Sequence, residues 1–247
     1  MNYNYQIIVE YLGLNFVGWQ FQKNGKSVQS VVEKAISKAL NKKIKIIGSG
    51  RTDSGVNAKG QSANFITQKE IKDFFKFLST VNFFLNKYHV SILSIKRRKL
   101  NFHARRSAKK RQYEYIILNR AAKPSIDNHR TWLVKKKLDY YEMKKGIKFF
   151  IGRHDFSAFR ASSCTAMSPV RTINYANIIK EKDKFIIKFE SQSFLQKQVR
   201  SMVGCLKFVG EKKWKPEIIK KIIESKNRSD CAPPAPAEGL FLKKVFY

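Results

Sequence analysis

One stretch of the chain combines an acid, a base and loop-forming residues at close spacing: Gly50-Arg51-Thr52-Asp53-Ser54-Gly55-Val56. Its carboxylate, Asp53, follows the guanidinium of Arg51 by two residues. Glycines at 48, 50 and 55 permit a positive φ or the close approach of a ligand. Two chemistries suggest themselves. A phosphate-binding loop needs glycines, but it also needs a Gly-Lys-Ser/Thr ending, which is absent here. The second is a catalytic carboxylate held on an irregular connection between rigid elements, where functional groups are often placed. The bland alternative is an Asx-turn in which Asp53 caps its own backbone amides.

The flanking elements must position this loop. Residues 5–11 read as a strand ending near Gly13. Val28, Val32, Ala35, Ile36, Ala39 and Leu40 fall at helical spacing behind a candidate N-cap, Ser27, which predicts a helix over 28–40. Strands are expected at 44–47 and 61–67, on either side of the loop. Helices follow at 69–79 and 81–86, then strands at 89–97 and 112–118. A second pass of similar order starts near Leu138, with Asp139 as a helix cap ahead of Met143, Ile147, Phe150 and Ile151. Strands at 170–179 and 184–191, a helix over 195–209, a helix over 217–225 after Pro216 and a closing strand at 240–247 complete it. Asp230-Cys231-Ala232-Pro233-Pro234-Ala235-Pro236 is incompatible with regular structure. The expected organisation is two α+β halves, 1–104 and 105–247, that share one sheet or pack closely.

The chain has 247 residues, with 50 Lys+Arg against 18 Asp+Glu, a formal net charge of +32. That balance points to a polyanionic partner, most often nucleic acid. Lysines outnumber arginines 37 to 13 and Ile and Asn are frequent, so part of the excess is assigned to a compositional bias of an AT-rich genome. Basic runs such as Lys135-Lys136-Lys137 and Lys109-Lys110-Arg111 are too short for a tail, so the charge is spread over a folded surface. No stretch approaches the ~20 apolar residues of a membrane helix, and no secretory signal is visible. Three dispersed cysteines (Cys164, Cys205, Cys231) fit neither a disulfide framework nor a paired-Cys metal site. A reducing, cytoplasmic setting is the expectation.

Six collinear segments then carry a resemblance. Gly50–Ala58 resembles the Gly-Arg-Thr-Asp-Ala-Gly-Val-His-Ala signature of the TruA family of tRNA pseudouridine synthases. Gly18-Trp19-Gln20 with Val28-Gln29, Phe102-His103-Ala104-Arg105 with Tyr113-Glu114-Tyr115, and Gly152-Arg153-His154-Asp155-Phe156 with Phe159 resemble further family segments. So do Phe194-Leu195, Val199-Arg200 and Val203-Gly204, and finally Ala235-Pro236-Ala237-Glu238-Gly239-Leu240. The chain departs from the pattern at Asn57, where the family has His, at Gln196-Lys197-Gln198, and at Ala232 and Pro234.

The resemblance implies a pseudouridine synthase fold: two similar α/β halves, a shared central mixed or antiparallel sheet, flanking helices and a basic cleft. It implies isomerisation of uridine to pseudouridine at positions 38, 39 and 40 of the tRNA anticodon stem-loop, with no metal or other cofactor, by a homodimer. Asp53 maps to the catalytic aspartate, whose ionised carboxylate calls for a cation nearby. Arg200 lies out of register with the apolar stripe of its helix and could reach a cleft and pair with it. Tyr113 maps to an aromatic residue that stacks on the uracil, though Tyr115 shares its strand face. Arg51 is assigned to the RNA, either filling the space left by the extruded base or holding a phosphate, and Leu240 to the wall of the uracil pocket. Arg51, Lys59, Arg105 and Lys109 are placed on the cleft walls. His154 and Asp155 are read as hydrogen-bonding residues at a helix end. The competing readings are a non-catalytic RNA-binding protein on the same scaffold, and a synthase acting on another RNA.

Overall fold

The computed structural model describes residues 1–247, and the chain divides into two compact units: 1–109 with 242–247, and 110–241. Both are α+β.

In the first unit β1 (Tyr3–Tyr11) precedes α1 (Val28–Leu40). After a two-residue strand β2 (Ile47–Gly48) come β3 (Asn57–Thr67), α2 (Phe74–Leu85) and β4 (Val90–Arg98). β1 is central and pairs antiparallel with β3 and β4, with Ile7 opposite Ala63 and Ile95. Ser27 caps α1 by accepting from the Ser30 amide at 3.2 Å, as its position predicts. Val28, Val31, Val32, Ala35, Ile36 and Leu40 of α1 are buried, as are Phe77, Val81 and Leu85 of α2. Alternate residues of β1 and β3 carry a polar network instead. The Asn64 amide donates to Asn4 Oδ1 (2.9 Å), Gln6 donates to Ser62 Oγ (2.8 Å), and the Tyr247 hydroxyl bonds both Ser62 Oγ and the Ala104 carbonyl. Buried polar groups are tolerable when paired in this way.

Two expectations change here. Of the strand expected at 44–47 only Ile47 pairs with β3, together with Gly48 just beyond it. Ile44 and Ile46 are buried, but their amides donate to side chains, Ser37 Oγ (2.9 Å) and Glu33 Oε1 (3.0 Å), so the backbone is satisfied without a ladder. The helices expected at 69–79 and 81–86 are one helix, α2, starting only where Asp73 caps it through the Lys76 amide (2.8 Å).

In the second unit β5 (Lys110–Leu118) is followed by the short β6 (Trp132–Leu133), α3 (Tyr140–Ile147) and β7 (Gly152–Asp155). β8 (Val170–Glu181), β9 (Lys184–Ser191), α4 (Gln198–Gly210) and α5 (Ile218–Ser225) complete it. The sheet order is β5-β9-β8-β7, antiparallel throughout, with β6 added parallel to β5. Asp139 caps α3 through the amides of Tyr141 and Glu142. Met143, Ile147, Phe150, Phe189, Met202, Leu206 and Ile219 are all buried, each such side chain contributing about 1.5–3 kcal/mol. α4 begins at Gln198 and not at 195, because Lys197 adopts a left-handed conformation (φ 62°) while Gln198 Oε1 accepts from the Leu195 amide. Asp155 accepts from the Ser157 amide at 2.8 Å, just ahead of a one-turn helix at 157–159, and the His154 ring bonds the Ile151 carbonyl at 2.9 Å. The closing strand β10 (Leu240–Phe246) has its first two residues in the second unit and the rest in the first, where it lies beside β3. No helix is long and apolar enough to cross a membrane.

Candidate active site

The loop between β2 and β3 is held within its own unit by backbone bonds and by short polar side chains. Its entry is fixed by Ser49, whose amide donates to the Ser62 carbonyl (2.7 Å) and whose hydroxyl donates to Gln61 Oε1 (2.7 Å). Gln61 in turn donates to the Gly50 carbonyl (2.9 Å). Next, the Thr52 carbonyl accepts from the Trp19 amide (3.1 Å), and the Thr52 hydroxyl bonds the Tyr11 hydroxyl (2.8 Å). A tight turn then runs from Asp53 to Val56, closed by the Asp53 carbonyl accepting from the Val56 amide (3.1 Å), with Gly55 at φ 77°. Beyond the turn, Asn57 is buried and accepts from the Gly13 amide at 2.7 Å.

The loop leaves no room for side chains on the segment that grips it. Gly18 has φ 112°, and a Cβ there would lie 2.6 Å from the Thr52 carbonyl oxygen. A Cβ at Gly13 would lie 2.4 Å from the Val56 carbonyl oxygen. The result is a sharp contrast of neighbours: Thr52 and Val56 are buried, Asp53 is half-buried and Arg51 is exposed. A carboxylate presented this way is reachable by a ligand, yet its main chain is fixed on both sides.

The remaining expected site residues lie in the second unit. Tyr113 is buried on β5 opposite Phe189 of β9, and its ring meets Phe194 edge-on at 5.1 Å. Tyr115, two residues on, is fully buried. Its hydroxyl donates to the Pro236 carbonyl (2.8 Å), and its ring packs edge-on against Trp132 at 6.2 Å. Burial pushes the Tyr115 phenol well above its ordinary value, the Arg200 charge opposes this, and Glu238 adds to it. Arg200 is half-buried on α4. Its Nε donates to the Ala235 carbonyl at 2.6 Å, while its own carbonyl accepts from the Ala235 amide at 2.9 Å. This reciprocal pair binds the proline-rich segment to α4. Leu240 is buried at the first position of β10. Thus Arg51 and Asp53 share one loop, while Tyr113, Arg200 and Leu240 belong to one strand–helix assembly.

A family model described as tRNA pseudouridine synthase matches residues 7–105 and 147–247. A "tRNA pseudouridine synthase A" of Pelagibacter ubique (strain HTCC1062) is 54% identical over 245 residues, covering 99% of this chain and 100% of that protein. Another of the same name, from Sinorhizobium medicae (strain WSM419), is 38% identical, covering 98% of this chain and 99% of that protein. The chain belongs to the tRNA pseudouridine synthase family. The family model spans Arg51, Asp53, Arg200 and Leu240, whereas Tyr113 and Lys109 fall in the stretch it leaves unmatched. Among solved structures, an H/ACA RNP bound to a substrate RNA containing 2'-deoxyuridine aligns with 82% of this chain and 43% of its own, at 12% identity and a TM-score of 0.37.

Sequence reasoning missed the residues that hold this family's loop here. Tyr11 and Gly13 are remote from the motif, and Asn57 stands out within it only as a departure, with no role in holding the loop assigned to it. Two of the three dispersed cysteines also meet: Cys205 of α4 and Cys231 have their sulfurs 3.5 Å apart, as free thiols.

Proposed function

We propose that this protein isomerises uridine to pseudouridine at positions 38, 39 and 40 in the anticodon stem-loop of tRNA. The reaction breaks the N1–C1′ bond, turns the uracil and forms a C5–C1′ bond. The proton lost from C5 is balanced by one gained at N1, so no atom or electron is exchanged with a co-reactant. Asp53 is the catalytic carboxylate, acting on the sugar or the base. Tyr113 stacks on the extruded uracil and assists proton movement at C5. Arg200 and Leu240 contact the substrate. Extruding a base costs a few kcal/mol, and exposed Arg51 offsets part of that by occupying the vacated space or a phosphate. The protein works as a homodimer in the cytoplasm. The observation that carries this reading is the half-exposed Asp53 on a rigid turn, within the loop whose residues match the family signature.

The test is incubation with unmodified tRNA transcripts, followed by carbodiimide treatment and primer extension. Stops at positions 38, 39 or 40 are expected. A transcript set with no stops, or with stops only elsewhere, overturns the assignment.

A further inference from the structure

The first unit carries a second feature, away from the loop: a groove of about 360 Å³ along α1 and α2. Lys34 and Lys38 stand on its α1 side. Phe83 and Phe84 line it from α2, and Lys87 and Tyr88 from the turn that follows. Lys34 and Lys38, four residues apart, project from one helix face. Phe83 is 72% exposed, a large apolar ring left in water. Lys38 Nζ lies 5.4 Å from the Phe84 ring centre, and the Nζ atoms of Lys26 and Lys87 each lie 5.2 Å from that of Tyr88. No lining residue is acidic. The acid of α1, Glu33, is buried and engaged by Lys45 and the Ile46 amide.

Exposed rings invite an occupant, and the charges select it. A second copy docking through the same patch would appose the same residues on both sides, setting three ammonium groups against three. Aromatic faces interleaved with lysines suit an unpaired nucleic-acid segment, whose bases stack on rings while its phosphates take the charge. We propose that this groove is a second RNA-binding surface, taking an unpaired segment of the substrate RNA with its phosphates on Lys34, Lys38 and Lys87 and a base on Phe83. The proposal rests on the reading that the substrate is tRNA.

The experiment is a salt series of filter-binding constants for an unmodified tRNA transcript. It compares the parent, the pair Lys34→Glu with Lys38→Glu, Phe83→Ser, and a control pair Lys220→Glu with Lys221→Glu on α5. Each phosphate neutralised contributes a slope of about −0.7 to −0.9 in log K against log[salt], so a parent slope of roughly −4 or steeper is expected. The groove pair should flatten it by about 1.5 and weaken binding about tenfold at moderate salt. Phe83→Ser should weaken binding about fivefold with the slope kept. The control pair should stay within about twofold. Ultraviolet crosslinking of the unaltered protein to 4-thiouridine-substituted transcript supplies a measurement free of folding defects, with RNA-linked peptides expected from the segment 83–88.

Equal losses in groove and control variants overturn the proposal. So does the absence of crosslinked 83–88 peptides, or a change confined to the sedimentation coefficient, which would mark the groove as a protein contact. Stops at 38–40 with unaffected groove binding leave the proposed function standing without the groove. Groove-dependent binding with no stops does the reverse.

Discussion

The loop of the first unit and the strand–helix assembly of the second achieve rigidity by opposite means. Around Asp53 main chain bonds to main chain and small polar groups bond to main chain, and glycines at 13 and 18 let two backbones touch. Around Tyr113, Tyr115 and Arg200 large side chains do the fixing, by edge-on rings and by hydrogen bonds to the carbonyls of residues 235 and 236. A backbone-held loop has its course fixed without large side chains packed across it. A side-chain-held assembly consumes part of each side chain's bonding capacity in structure. Substitutions at Asp53 should therefore separate activity from stability, whereas those at Arg200 should not.

The largest effect is expected from Asp53→Asn, which keeps shape and removes charge. Pseudouridine formation should fall by about a thousandfold or more, with the melting temperature and tRNA binding of the parent. A variant that turns over substantially, or that unfolds, would erase the contrast. Next is Arg200→Met. It removes a charged donor from the Ala235 carbonyl, a loss worth about 1.5–3 kcal/mol, so stability should drop together with a ten- to hundredfold fall in kcat/KM. Arg200→Lys restores the charge but not the Nε contact. It should recover more activity than stability, and equal recovery of both would show that Arg200 acts only as a structural tie.

A third substitution attacks the loop through its backbone. Gly18→Ala would force a Cβ to within 2.6 Å of the Thr52 carbonyl at a φ of 112°. Strain of about 1–3 kcal/mol is expected, and because it displaces Thr52, the residue before Asp53, kcat should fall as well. Tyr11→Phe removes only the hydroxyl bonded to Thr52 and should cost about 1 kcal/mol, with kcat changed less than by Gly18→Ala. Chemical denaturation and single-turnover assays on both variants check the order.

Much of this fold was legible because its signals are local. The helix expected over 28–40 with Ser27 ahead of it matches the bounds of α1, and Asp139 caps α3 as its position suggests. The loop was legible through its glycines and through the match to the family signature. The unread parts depend on partners distant in sequence. Ile44 and Ile46 look like strand residues, and only the Ser37 and Glu33 side chains, supplied by α1, show why they form no ladder. Arg200 could be read as off the apolar stripe, but its bond to Ala235 joins residues 35 apart. Cys205 and Cys231 are 26 apart and give no spacing signal, yet their sulfurs meet.

The smallest effect separates the two tyrosines that the sequence placed on one strand face. Tyr115 has its phenol raised well above the ordinary value, chiefly by burial. A raised folded-state pKa means that the native state holds its proton after the unfolded chain has released it. The contribution is thus fully present below about pH 10, the unfolded value, and is lost as the pH climbs toward the folded one. Each proton so retained steepens the fall in stability by about 1.4 kcal/mol per pH unit. Tyr115→Phe forfeits the hydroxyl bond to the Pro236 carbonyl, costing about 1 kcal/mol at neutral pH. It also removes that proton's share of the alkaline decline. The stability curves of parent and variant should therefore converge, and their gap close, between pH 10 and 11. At pH 7 the variant should keep nearly full activity, because its ring still packs on Trp132, while Tyr113→Phe should lose activity with little change in alkaline stability. Parallel curves for parent and Tyr115→Phe through pH 11 would show that the phenol is not the group whose burial is released, and an inactive Tyr115→Phe would move the substrate role from Tyr113 to its neighbour.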